Sequence, residues 1–300
     1  MAVRPRQDYL SEAQLEVMKS FNAGWEGYTP MYQMVFNVEN DPARLEETFS
    51  VRGGMTAAFT AVADGANYNS QNPKIVGTQA IKELIFKEQV GITKMMLKKD
   101  NYRSAVEDAN KLGYLARLKM DKLGADILAN ATGTTVTWDG LSLANAAHLI
   151  GDTGETQSNL VTGGYTTSNL ETAIQNFGLQ KSHDGAVMSI NPKYIVVPRR
   201  NMMQTKKLIG SPMTPEDANT SINAVTESGL IPIYWAQLDT TNFEAMLLSD
   251  KAMHRLEYLI HYGPDITPAR DTNTGNELVQ MDLACNAGAI DYLGTYFIQS

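Results

Sequence analysis

His148, Asp152 and Glu155 sit close together in the stretch LANAAHLIGDTGETQSNL. An imidazole and two carboxylates on a Gly- and Thr-rich loop are donors that a divalent cation accepts, and the same groups can exchange protons with a substrate. The bland reading is a connector, because loops of this composition gather such a trio by chance. The run GDTGETQSN resembles a phosphate loop only superficially. It lacks the Lys and the preceding strand that would bring backbone N–H groups and a cation to a phosphate.

The other reactive side chains are scattered. His183 lies in KSHDGA, a turn by its Asp-Gly pair. His254 and His261 are an odd number of residues apart, so a strand carrying both would point them to opposite faces. No two histidines have the i, i+4 spacing that sets two ligands on one helix face. Cys285 is the single cysteine, which forbids an internal disulfide and fits a small apolar core position. GxxxxGK[ST], GxSxG, HExxH and CxxC are absent. The expectation is therefore no catalytic residue, no metal and no cofactor, with a metal-dependent hydrolase using the His148 loop as the alternative.

Charge narrows the partners. With 25 basic and 33 acidic side chains in 300 residues the net charge is −8. A protein that grips duplex DNA shows a basic footprint, so dedicated DNA binding is not expected, whereas enclosing nucleic acid without adhering to it is compatible with an acidic wall. Arg199–Arg200 and Lys206–Lys207 give one short basic face, read as solvated or subunit-facing. No uncharged apolar run approaches the ~18 residues of a membrane span, and no secretion signal follows MAVRPRQDYL. We expect a soluble protein made in the cytoplasm, with no membrane partner.

The elements that must position these groups follow from periodicity. Ser11 to Trp25 predicts a short helix with an apolar stripe of Leu15, Met18 and Phe21, too marginal to stand alone. TFSV and KELIFKEQVGIT read as the two strands of a long excursion around the polar tip ADGANYNSQNP. An excursion with so little to bury predicts another chain as its partner. From Asp100 or Asn101 onward, Ala105, Ala109, Leu112, Ala116, Met120, Leu123 and Ile127 recur every three or four residues, the mark of one long helix. Gly113 and Gly124 inside it each cost about 1 kcal/mol against Ala, so they predict close approach of another backbone. SNLETAI opens a second helix with Ser168 as N-cap and Glu171 three residues on. AVMSINPKYIVVP reads as two strands around a turn, RRNMMQTKKLIG as a short helix, and LIPIYW and FEAMLLS as strands. The last sixty residues read as strands broken at GPD, DTNTGN and NAG. Helices and strands segregate, so the class is α+β.

The order of these elements resembles that of tailed-bacteriophage major capsid proteins, the Hong Kong 97-type capsid fold. The local likeness is to Mu-type major head subunits: Ala147–His148, a helix ending in Gln180–Lys181, the turn Asp184–Gly185, and the strand from Pro192 to Pro198. That resemblance implies an N-terminal arm over 1–40, an extended loop with flanking strands over 41–100, and a peripheral domain with a spine helix over 101–159. An axial domain over 160–250, a peripheral sheet return over 251–290 and a last axial strand over 291–300 complete it. It implies a structural protein that assembles into hexamers and pentamers of an icosahedral shell around double-stranded DNA. A separate scaffolding protein, a portal and a possible decoration protein are the further partners. The loop-tip residues Asn67, Tyr68, Asn69, Gln71 and Lys74 are the implied contacts between subunits. Some relatives cross-link Lys to Asn, but no matching partners for Lys74, Asn67 or Asn69 can be placed, and that chemistry is not carried over. A shell of the same fold around a cellular compartment is the nearer alternative.

Overall fold

A computed structural model of the chain describes residues 12–53, 61–99, 101–211, 223–239 and 243–300. The elements are α1 (Glu12–Glu26), α2 (Tyr32–Val35), β1 (Asn37–Asn40), β2 (Glu46–Gly53), β3 (Lys74–Lys82), β4 (Ile85–Ile92), α3 (Lys94–Lys98) and α4 (Arg103–Ala129). There follow β5 (His148–Leu149), β6 (Thr156–Gln157), β7 (Leu160–Thr162), α5 (Thr167–Gly178), β8 (Tyr194–Pro198), α6 (Met202–Gly210) and β9 (Ile231–Trp235). The last strands are β10 (Phe243–Leu248), β11 (Leu256–Arg270), β12 (Glu277–Ala289) and β13 (Thr295–Gln299).

Helix α4 has 27 residues, as its spacing predicts. Its buried face is narrow and made of small side chains: Ala105, Ala109, Gly113, Ala116, Met120, Gly124, Ala125 and Leu128, with Leu112, Leu123 and Ile127 packed at its margins. Small residues let α1 come very close. A Cβ on Gly113 would lie 2.1 Å from the Phe21 carbonyl oxygen, and one on Gly24 would lie 1.9 Å from that of Asn110. The marginal first helix thus packs on its own chain, through Ala13, Val17, Phe21 and Gly24. Of the expected stripe, Phe21 is buried and Met18 packs against the core, but Leu15 is exposed and Ala13, Val17 and Gly24 complete the buried face in its place. Its expected cap, Ser11, lies outside the described residues.

Two sheets flank α4. The first has order β1-β11-β12-β4, and the second has order β7-β13-β10-β8-β9. Alternation in the second sheet feeds two cores. Val196, Met246, Leu248 and Phe297 face the large core around α4, while Ile195, Val197, Leu247 and Ile298 face α5 and α6. Tyr194–Pro198 is interior to that sheet, between β10 and β9, as its apolar run predicts. Asp121, fully buried, ties the layers. It accepts from Tyr28 Oη (2.7 Å), Met31 N (2.7 Å), Tyr32 N (3.0 Å) and Trp235 Nε1 (2.8 Å). Four donors replace the water that its charge loses on burial.

Several local expectations differ from what forms. The return strand of the excursion is Lys74–Lys82, paired with β2. IFKEQVGI instead pairs with β12 as an edge of the first sheet. Register decides this: Phe86 and Val90 pack onto the large core, which β12 shares. GPD does not break β11, since a register shift between Tyr262 and Asp265 absorbs it, and NAG lies within β12. DTNTGN is the turn between them. The cap of α5 is Thr166, whose side chain accepts from Asn169 N, so the helix begins before Ser168. Helix α4 has no side-chain cap, Tyr102 occupying that position.

Candidate functional site

The β2–β3 hairpin is the element with the least reason to exist in an isolated chain, and its two halves behave differently. Its strands lean on their own protein. Val51 and Ile81 join Leu259 and Ile290 in a small core edged by Phe49, Val76 and Trp138. Gly77 is required there, because a Cβ would lie 2.4 Å from Trp138 Cε3. Arg255 donates to the Ser50 carbonyl at 2.9 Å and Gln79 to that of Val136 at 3.2 Å. Lys74 opens β3 and is ion-paired with Asp152.

Beyond the strands the described residues of the excursion face solvent. Every residue from 61 to 75 is exposed, Tyr68 at 101% and Val62 at 53%. A turn at Asp64–Gly65, with Gly65 at φ +81°, reverses the segment. Asn67, Tyr68, Asn69 and Gln71 all lie on it, whereas Lys74 is set back at the strand.

The histidines answer the question of chemistry. His148 is fully buried. Its Nδ1 lies 2.8 Å from Asp139 Oδ2 and its Nε2 3.2 Å from the Leu143 carbonyl oxygen, while its ring stacks on Tyr292 at 4.0 Å. Both ring nitrogens are therefore engaged by the chain's own groups, and neither offers a lone pair to a metal. Asp152 and Glu155 do not join it. They are exposed and paired with Lys74 and Lys181. Among the described residues no group of three or more His, Cys, Asp and Glu is placed to hold a metal ion.

What sequence reading missed is a buried polar node around Tyr292. Its hydroxyl donates to the Leu149 carbonyl (2.8 Å) and accepts from Gln157 Nε2 (3.0 Å). His183 approaches the Tyr292 ring edge-on and holds Asp291 through Nε2 at 2.7 Å. Asp291 also accepts from Trp138 Nε1 at 3.2 Å. Burial alone would push the Asp139 carboxyl up. Hydrogen bonds from His148 and Thr137, the nearby His148 and the Leu141 N–H outweigh it, holding the pKa at about 2. These partners are separated by up to a hundred residues and more, so no local signal could have joined them. The node fixes the 136–159 connector, the turn at 182–185 and the Asp291 turn to one another, which is a positioning task.

The remaining candidates are also structural. Cys285 is buried beneath Tyr258, 3.5 Å from its hydroxyl, and burial pushes its thiol pKa up. His254 precedes β11 rather than sharing it with His261, so the two-face argument does not apply to the pair. Arg199 and Arg200 are exposed at the start of α6, Arg200 donating to the Phe243 carbonyl at 2.6 Å. No helix of the described residues is long and apolar enough to cross a membrane.

The fold and the sequence can now be set against known proteins. The mature capsid of bacteriophage PhiM1 is similar in structure at 10% identity, with TM-score 0.59 over 91% of this chain and 87% of that one. The capsid of cyanophage P-SCSP1u follows at 11% identity, TM-score 0.56, over 100% and 92%. The virus-like particle of Pyrococcus furiosus shares 10% identity, TM-score 0.53, over 96% and 100%. No curated protein sequence matches. The family model described as phage capsid protein matches residues 78–298, most of the chain, and the chain belongs to that family.

Proposed function

We propose that the protein is the major head subunit of a tailed bacteriophage, closing in hexamers and pentamers into an icosahedral shell around double-stranded DNA, without enzymatic turnover. The hairpin carries this reading: strands fixed on their own chain end in a tip, residues 61–75, that is exposed throughout. A loop held out at that distance from any core has a use only against another molecule, and in a shell of identical chains that molecule is a neighbour. Asn67, Tyr68, Asn69 and Gln71 make that contact, with Lys74 at its root. In this reading 1–40 is the arm, 41–100 the extended loop, 101–159 and 251–290 the peripheral domain with α4 as its spine, and 160–250 with 291–300 the axial domain. Assembly takes place in the host cytoplasm with a separate scaffolding protein. A portal and a decoration protein complete the particle, and the affinity to Mu-type subunits rests on the Ala147–His148 to Pro198 motifs.

Deleting Tyr68 to Asn72 should leave the circular dichroism spectrum and the melting of the unassembled chain unchanged, and should reduce the yield and heat resistance of shells seen by negative stain. Unaltered particles with unaltered melting would count against the tip assignment. A chain that stays a monodisperse monomer, alone and with the products of its neighbouring genes, would sink the shell reading. The nucleic-acid content of purified particles separates a virion from a cellular compartment built on the same fold.

A further inference from the structure

Three Asp-Gly pairs occur in the chain, Asp64–Gly65, Asp139–Gly140 and Asp184–Gly185. Such a pair can close on itself. The glycine nitrogen reaches the aspartate Cγ through a small ring, and glycine has no Cβ to shield that nitrogen or restrict its approach. Closure needs a carboxyl free to swing and an N–H free of hydrogen bonds. The fold withholds both at Asp139. Its buried carboxylate accepts from Thr137 Oγ1 (2.7 Å) and Leu141 N (3.1 Å) and pairs with His148 at 2.8 Å, while Gly140 N donates to the Thr137 carbonyl at 2.9 Å. At Asp184 the nitrogen is tied: Gly185 N donates to the Ser182 carbonyl at 2.9 Å, in a turn closed by Ser182 N on the Ala186 carbonyl at 2.7 Å. Asp64 and Gly65 are both exposed. Among the described residues neither the Asp64 carboxylate nor the Gly65 N–H has a hydrogen-bond partner. One exposed turn bond, from Ala66 N to the Ala63 carbonyl at 3.0 Å, spans the pair, and such a bond opens at little cost.

We infer that Asp64–Gly65 is a self-modifying site, at which the backbone isomerises from aspartyl to isoaspartyl without enzyme or cofactor. The Gly65 nitrogen bonds to Asp64 Cγ and gives up its proton, and the carboxyl hydroxyl leaves with that proton as water. The product of this step is a succinimide. Water then adds back at one of its two carbonyls. Opening at Cγ restores aspartate. Opening at the main-chain carbonyl breaks the bond from Asp64 C to Gly65 N, frees the α-carboxylate and leaves the chain running through Cβ and Cγ. The atoms balance, with one water lost and one regained, and nothing is oxidised or reduced. Isomerisation keeps the charge but adds a methylene to the backbone and leaves a bare carboxylate as the branch. It does so at a turn where no core holds the shape. In the shell reading above, on which this consequence alone rests, chains that age before assembly carry an altered tip and assemble less well.

The full chain, held unassembled at physiological temperature for weeks, tests the site. Trypsin releases residues 53–74 as one peptide in which Asp64 is the sole carboxylate side chain. Isoaspartate should appear there as a second chromatographic peak of unchanged mass. That peak should resist an aspartate-specific endoprotease and accept a methyl group from S-adenosylmethionine through an isoaspartyl methyltransferase. Deamidation of the tip asparagines changes the mass and is told apart. The yield at Asp64 should exceed that at Asp139 or Asp184 roughly tenfold or more, because hydrogen bonds at those two pairs must break first. Asp64→Glu, at an exposed position, should fold as wild type and lose the peak, since its longer side chain must close a larger and slower ring. No isoaspartate at Asp64, or equal amounts at all three pairs, would overturn the inference. Aged chain that carries isoaspartate yet assembles like fresh chain would uphold the site and count instead against the tip as the contact between copies.

Discussion

Replacing Gly113 by Ala sets helix propensity against packing, and the structure decides the sign. Propensity alone favours Ala in a helix interior by about 1 kcal/mol. The new Cβ, however, would lie 2.1 Å from the Phe21 carbonyl oxygen and 2.9 Å from Trp25 N, both backbone atoms of α1. Ordinary contact begins at 3.4 Å, so α1 must retreat by 3.4 − 2.1 = 1.3 Å. A gap of 0.5–1 Å already forfeits about a quarter to a half of a van der Waals well. Burying Val17 and Phe21 is worth ~1.5–3 kcal/mol each, so the retreat costs ~1–3 kcal/mol in packing. It also stretches Ser20 Oγ to Val106 O (2.7 Å), Asn110 Nδ2 to Ser20 O (3.2 Å) and Arg117 to Trp25 O (3.0 Å). At about 1 kcal/mol per bond, partial loss adds ~1–2 kcal/mol. The net is a destabilisation of ~1–4 kcal/mol after the propensity gain is subtracted. Urea unfolding of the unassembled chain should show it as a lower midpoint at unchanged slope. Gly178→Ala at the end of α5, where the nearest neighbour is the Ile190 oxygen at 3.9 Å, is the control and should be neutral or stabilising. A Gly113→Ala chain as stable as wild type would refute the reasoning.

Two further outcomes follow from buried polar groups. Asp121→Ala strands the Tyr32 N–H and Trp235 Nε1–H in the core and should cost about 4 kcal/mol. Asp121→Asn keeps one acceptor oxygen and should cost about half as much, an order that urea midpoints can reverse. Burial, with Lys251 nearby, lowers the His254 pKa from 6.5 to about 4, so the unfolded chain takes up the proton first as pH falls. Stability should drop between pH 6.5 and 4 by up to ~3 kcal/mol, and His254→Gln should flatten that limb. Asp139 has the opposite history: its lowered pKa gives stability that is present above pH 3.8 and lost toward pH 2, about 2 kcal/mol in all. A His254→Gln chain with an unchanged slope between pH 6.5 and 4 would contradict the first limb.

What the sequence made legible were the elements whose signal is local. The three-and-four spacing of Ala105 to Ile127 marks α4, and the unbroken YIVV marks an interior strand, because burial of one helix face or of both strand faces is written directly in composition. What was not legible depended on partners. IFKEQVGI reads equally well as the return arm of the hairpin or as an edge strand, and only the shared core with β12 selects the second. GPD looks like a break, yet β11 passes through it because β12 holds the register on both sides. At the candidate site the exposed tip was readable from its polarity. The node around Tyr292 was not, since Asp139, His148, His183 and Asp291 are ordinary residues in ordinary loops until the fold brings them together.

The way buried polarity is used bears on how a capsid protein of this family holds its shape. A shell closes only if each copy turns the chain of contacts by the same angle, so an error in the angle between elements accumulates around the ring. Apolar packing tolerates small slides between α4 and the sheets. A carboxylate held by four donors does not, because a shift of 1 Å at Asp121 breaks charge-assisted bonds of 2.7–3.0 Å to α2, to β9 and to the segment between α1 and α2 at once. The Tyr292 node does the same for the connector and the loops against which the hairpin lies. Both networks are buried, joining segments far apart in the chain. That is the arrangement expected of groups kept for shape: they restrict the chain to one geometry, while residues 61–75 stay exposed to solvent.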